Sequence, residues 1–219
     1  MRTINVTGKG KITVKPDTTR IYITLDGLTP EYGETLKMSA DDTKQLKDLL
    51  AQFGFKHSDL KTLNFYVDTD YKSVKQEDGS YKSVLAGYKY CHRMKVEFPS
   101  DNALLGKLLY ALANCELRPD LGIGYTVADR EAAKNELLGK AVADAKAKAT
   151  VLAQASCVTL GDIQHIDYSW GSINFEYRPM DRMLMNCVEG AKVHESYDID
   201  IEPDDIDVTD DVTIVWEIA

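Results

Sequence analysis

A chain of 219 residues with 26 basic and 35 acidic side chains carries a formal charge of −9 at neutral pH. Ten of the acidic residues, and no Lys or Arg, fall within residues 195–219, which leaves 25 acidic against 26 basic residues elsewhere. A nucleic-acid binder needs a basic face to displace counterions from phosphates, so nucleic acid is excluded as a partner. No apolar run approaches the ~20 residues of a spanning helix, and the sequence reads as one soluble domain over residues 1–219 with no membrane span.

The opening MRTINVTGKGKITV has no apolar core and no small-residue cleavage site, so the chain as written reads as cytoplasmic. A chain whose signal peptide had been removed would read the same way and be exported. Ile4, Val6, Ile12 and Val14 alternate as a strand with a bend at Gly8 or Gly10. The turn KPD leads to a second strand carrying Ile21, Ile23 and Leu25. Thr29-Pro30-Glu31 starts a helix whose apolar side is Leu36, Ala40, Thr43, Leu46, Leu50 and Phe53, and Gly54 stops it.

Two long antiparallel strands follow, LKTLNFYVDTDYKSV and SYKSVLAGYKYCHRMKVEF, joined by the turn signal EDGS. In the second, Val84, Ala86, Tyr88, Tyr90, His92, Met94, Val96 and Phe98 share a core face, opposite Lys89, Cys91, Arg93, Lys95 and Glu97. Asp101 caps a helix bearing Leu105, Leu108, Leu109 and Leu112, and LGIGYTV reads as a strand. Asp129 caps a long helix that contains KAVADAKAKATVLAQA. Its packing stripe is Leu138, Ala141, Val142, Ala145, Ala149 and Leu152, opposite the alternating charges of Glu136, Lys140, Asp144 and Lys148. A strand near residues 163–168, a long irregular segment at about 171–203, and a last strand with Val208, Val212, Ile214, Trp216 and Ile218 on one face complete the chain. The fold class is therefore α+β, a largely antiparallel sheet packed against about three helices.

No motif names a reaction. Cys91 and His92 are adjacent on a strand, so they point to opposite faces and meet neither one metal nor each other; His92 reads as a hydrogen-bonded core histidine. DIDIEPDD offers oxygen ligands but lacks the glycine and final glutamate of a calcium loop, and reads as a solvated acidic edge. GIGYTV lacks the third glycine of a dinucleotide fingerprint. The four cysteines, Cys91, Cys115, Cys157 and Cys187, are scattered without metal-ligand spacing and read as reduced thiols. These patterns give no catalytic residue, no metal ligand and no cofactor. RPMDRMLM, inside the long segment, has the methionines and arginines of an adaptable contact surface.

In order along the chain, INVTGKGKITVKPDTTRIYITL, AGYKYCHRMKVEF, DREAAKNELLGKAVADAKAKATVLAQASCVTLGDI, the RPM at residues 178–180 and DVTDDVTIVWEI resemble the SIMPL domain family, also called domain of unknown function 541. The resemblance covers nearly the whole chain. It implies an α+β domain with a tendency to self-assemble and no established catalytic residues. Bacterial members are usually exported envelope proteins, and this chain departs from them in its opening and its cysteines.

The resulting expectation is a non-enzymatic scaffold or protein-interaction module, a homo-oligomer with room for a protein partner, whose contact residues are Arg178, Met180, Met183, Met185 and Trp216. The competing expectation is a small-molecule or metal-dependent enzyme built on His92 or the acidic C-terminal segment.

Overall fold

The computed structural model describes residues 2–77, 79–168, 173–178, 197 and 201–219. The elements run β1 (Arg2–Val14), β2 (Thr18–Thr29), α1 (Tyr32–Ala51), β3 (Lys61–Lys75), β4 (Tyr81–Pro99), α2 (Asn102–Ala113), β5 (Asp120–Thr126), α3 (Arg130–Ala155), β6 (Leu160–Asp167), β7 (Glu176–Tyr177) and β8 (Ile206–Ile218). The α+β class holds, with the strands in two antiparallel sheets of order β1-β8-β6 and β3-β4-β2-β5-β7. The segment read as wholly irregular contains the short strand β7. No helix among the described residues is long and apolar enough to cross a membrane.

The chain gathers into two compact units. The first is drawn from residues 1–17, 125–177 and 203–219, three stretches far apart in sequence. Its sheet pairs β1 with β8 along their whole length, from Arg2↔Ile218 to Val14↔Ile206, and adds β6 to the other side of β8. The inward face of β1 reads Val6, Gly8, Gly10, Ile12, and α3 packs onto it through Ala133, Leu137, Ala141, Ala145, Ala149 and Ala153. The glycines are required by proximity. A side-chain carbon on Gly8 would fall 2.1 Å from the Ala141 carbonyl oxygen, and one on Gly10 would fall 2.3 Å from that of Leu137. Small residues on both surfaces thus let helix and strand backbones approach where larger ones would hold them apart. The observed stripe keeps Ala141, Ala145 and Ala149 from the sequence reading but has Leu137 in place of Leu138 and Ala153 in place of Leu152, which is 46% exposed, while Val142 is only half-buried.

The second unit comprises residues 18–124 and 178–202. β2, β4 and β3 form its sheet with β5, whose last two residues continue into the first unit and pair with β7 there. α1 and α2 cover one face, where Ile21, Ile23, Leu25, Tyr90, Met94, Val96 and Phe98 meet Leu46, Leu50, Leu105, Leu108 and Leu112. Asp101 caps α2 as its sequence predicts, accepting from the backbone N–H groups of Ala103 and Leu104 at 2.9 and 3.1 Å.

α1 departs from the expected pattern. Leu36 is exposed, and the first half of the buried side is Thr35 and Ser39, with Leu46 and Leu50 only in the second half. The reason is polar pairing with β4: the single Thr35 hydroxyl proton is shared between the Tyr88 carbonyl on β4 and the helix's own Glu31 carbonyl, and the Tyr90 hydroxyl donates to Asp42. Burial together with the Asp42 carboxylate pushes the Tyr90 phenol far above its ordinary range.

Candidate functional site

Four strands end the two sheets among the described residues: β1, β6, β3 and β7. An unpaired edge offers backbone donors and acceptors to another chain unless something blunts it. β1 is blunted by α3, since the Lys9 N–H donates to Asp144 at 2.7 Å and Lys148 donates to the Thr7 carbonyl at 3.3 Å. The charges expected to be a solvated ladder on α3 therefore also cap a strand. β6 has eight residues and two register irregularities against β8, and β7 has two residues. β3 is different. It runs for fifteen residues, is exposed at all but one of them, and pairs with β4 alone.

The ribbon of β3 and β4 extends past the rest of its sheet. β2 accompanies β4 only from Pro99 back to Tyr88, whereas β3 stays with it as far as Lys75↔Tyr81. Beyond that limit Tyr71, Val74, Tyr81, Val84 and Leu85 are 40–69% exposed. An extra residue, Ala86, sits in β4 between the pairs Asp70↔Gly87 and Tyr71↔Leu85. Gly87 adopts φ +151°, and a side chain there would meet the Thr29 carbonyl oxygen at 2.3 Å. This bulge corrects the sequence reading of β4. Val84, opposite Lys72, lies on the other face from Tyr88 and His92, while Leu85 takes the inner-face position opposite Tyr71.

His92 occupies the inner face. The Thr43 hydroxyl gives its proton to the Ser39 carbonyl at 2.7 Å, so its oxygen accepts from His92 Nδ1–H at 3.1 Å. Nε2 is then the acceptor, and the Thr62 hydroxyl donates to it at 2.9 Å. Phe65 packs edge-to-face on the ring at 5.2 Å between centroids. Burial, with the nearby Lys47 charge, holds the imidazole below its ordinary value. Both nitrogens are occupied in a neutral ring, the arrangement of a structural histidine.

Cys91 points to the opposite face, as strand alternation requires, beside Asp26 on β2 and Tyr66 on β3. These residues border an open polar basin of about 510 Å³ that also includes Asp68, Lys89 and Arg93. Its charges are partly spent on one another: Lys89 and Asp26 are 2.6 Å apart, and that contact raises the lysine pKa. Further along the same face Arg20 donates to Glu97 at 2.7 Å. Burial works against the Glu97 carboxylate, but Lys95 and Arg20 together hold it below the usual range. No group of three His, Cys, Asp or Glu among the described residues is placed to hold a metal ion.

Of the residues expected to make contacts, Arg178 is exposed and lies over the Tyr22 ring, 4.5 Å from its centroid, while donating to the Tyr22 hydroxyl at 3.1 Å. Met180, Met183 and Met185 lie outside the described residues. Trp216 requires a correction. It is 4% exposed and packs with Val6, Ala141, Ala145, Ala149 and Ile214, and its strand is the middle of a sheet. Around Trp216, pairing with β1 on one side and with β6 on the other leaves β8 no edge to offer. Of the acidic segment, Glu202, Asp204 and Asp205 lie in coil before β8, Asp207 on β8 pairs with Lys11 at 2.9 Å, and Glu195, Asp198 and Asp200 lie outside the described residues.

The open edge of β3 escaped the sequence reading although a signal was present. Leu63, Phe65, Val67 and Tyr71 alternate with Tyr66 and Val74, so apolar residues fall on both faces and neither is marked as core.

Residues 4–216 match the sequence model of the SIMPL family, described as a protein of unknown function (DUF541), and the chain belongs to that family. Among curated proteins none matches it.

Proposed function

We propose that this member of the SIMPL family is a non-enzymatic module that assembles with copies of itself through a sheet edge. One observation carries the reading: β3 is long and exposed and has a free edge among the described residues, while the other sheet ends are capped, irregular or very short. A two-stranded ribbon is marginal in water, and one displaying Tyr71, Val74, Tyr81, Val84 and Leu85 gains stability when another surface covers it.

The enzyme reading on His92 lacks a comparable support, because general acid–base work needs a ring nitrogen that can reach substrate and both are engaged with threonines. Light scattering coupled to size exclusion, at low and high salt and with and without a chelator, tests the proposal. The expected result is a mass above one chain in every condition, undiminished by salt because screening relieves repulsion between the acidic segments. A single-chain mass at every concentration overturns it, and an oligomer lost on chelation transfers the assignment to a metal site.

A further inference from the structure

Resting on that self-assembly reading, we propose the partner and register of the edge: β3 pairs antiparallel with β3 of a second copy, about a two-fold axis that passes through Tyr71. A two-fold perpendicular to a sheet keeps each face continuous, so a residue and not a peptide bond sits on the axis. From Asn64 onward β3 contains no extra residue of its own, so its alternation is unbroken to Lys75. Asp68, Asp70 and Lys72 share the outer face along this stretch, and Tyr71 points to the other.

With Tyr71 opposite its own copy, Asp70 faces Lys72 of the second chain, and the symmetry makes that pair twice. Thr69 then faces Ser73, joining two hydroxyls, and Asp68 faces Val74. Moving the axis to Asp70 also brings Asp68 opposite Lys72 but sets Asp70 against Asp70, and moving it to Lys72 sets Lys72 against Lys72; only the axis at Tyr71 gives opposite charges with no like-charge pair. Directly opposed like charges destabilise a strand pair and opposite ones stabilise it, so the charges on this edge select the register centred on Tyr71. Asp70 and Lys72 are both exposed and neither is in ion-pair contact among the described residues; the Asp70 charge acts on Lys89, whose direct partner is Asp26. α1 lies mainly over β2 and β4. The lysines and aspartates that would keep a stray strand away thus become complementary when the incoming strand is a second β3.

The test uses the full chain in four forms: wild type, Asp70→Lys, Lys72→Asp and the double exchange. Each single exchange turns both attractive pairs into like-charge pairs and is expected to raise the dimer dissociation constant at least tenfold, read by sedimentation or light scattering over a dilution series. The double exchange restores opposite charges and brings the constant back to within about threefold of wild type. Tyr71→Cys gives an independent readout, since a cysteine on the axis meets its own copy within disulfide reach and forms a covalent dimer under mild oxidation. Ser73→Cys, which would face Thr69, does not. An oligomer indifferent to both single exchanges and not trapped through Tyr71→Cys overturns this interface while leaving self-assembly standing. A monomeric wild type overturns both.

Discussion

Gly8 lies so close to α3 that a methyl group in its place would sit 2.4 Å from the backbone nitrogen of Ala145 and 2.6 Å from its side chain. Gly8→Ala therefore forces strand and helix apart, and overpacking of this kind costs about 1–3 kcal/mol. Chemical denaturation should show a lowered midpoint. The control is Gly139→Ala on α3, where a side-chain carbon meets nothing within 4 Å. It should be neutral or stabilising, because alanine favours the helix by up to about 1 kcal/mol.

Charge placed on the two sides of α3 should separate in the same way. Ala145 is fully buried, whereas Lys148 is half-exposed and bonded to Asp144 at 2.7 Å. Ala145→Glu is expected to destabilise more than Lys148→Glu by about 2 kcal/mol or more, from burying an unpaired carboxylate. Equal midpoints would mean that the alanine stripe does not face the sheet.

His92 predicts a pH dependence of definite sign. Its folded pKa is depressed by burial and by Lys47, so the unfolded chain binds the proton more tightly than the folded one. The contribution is fully present above the ordinary imidazole value of 6.5 and is lost as pH falls through that value toward the lower folded one. Comparing wild type with His92→Gln at each pH cancels the carboxylates common to both. The stability advantage of wild type should shrink between about pH 7.5 and about pH 5. An advantage that grows on acidification would contradict the neutral ring bonded by Thr43 and Thr62.

Cys91, Cys115 and Cys157 are free thiols, and only Cys157 is exposed. Titration of the denatured, unreduced protein should find four thiols, counting Cys187. In the folded protein Cys157 should react faster than Cys91 and Cys115, because access limits the rate. Two or fewer thiols in the denatured chain would show that disulfides had formed.

Local chemistry was legible in the sequence and long-range pairing was not. EDGS marks the β3–β4 hairpin, Asp101 and Asp129 mark their helices, and the alternation from Tyr88 to Phe98 gives the core face of β4 correctly. Reading that alternation back to Val84 fails because one inserted residue, Ala86, reverses every side chain beyond it, and the one mark of the turning point in the sequence is the lone glycine Gly87. The polar inner side of α1 was hidden for a related reason. Thr35 and Ser39 look like solvent positions until Tyr88 and His92 arrive opposite them from a strand some fifty residues on. His92 itself was read correctly as a bonded core histidine. Trp216 was misplaced because a terminal strand suggests an edge, and only the pairing of β8 with both β1 and β6 shows it to be central.

The pairing of β1 with β8 also governs the order in which the molecule can come together. Residues 18–124, the greater part of the second unit, form one continuous stretch, whereas the remainder of that unit, residues 178–202, is made later. The first unit comes last, because β1 must wait for β8, which follows every other element and fills the centre of the sheet. Closing so long a loop costs entropy before any contact repays it, so formation of this sheet is expected to be the slow step of folding. During that interval α3 has no completed sheet to cover, and its alanines, unlike a stripe of leucines, leave little apolar surface for a neighbouring nascent chain to seize.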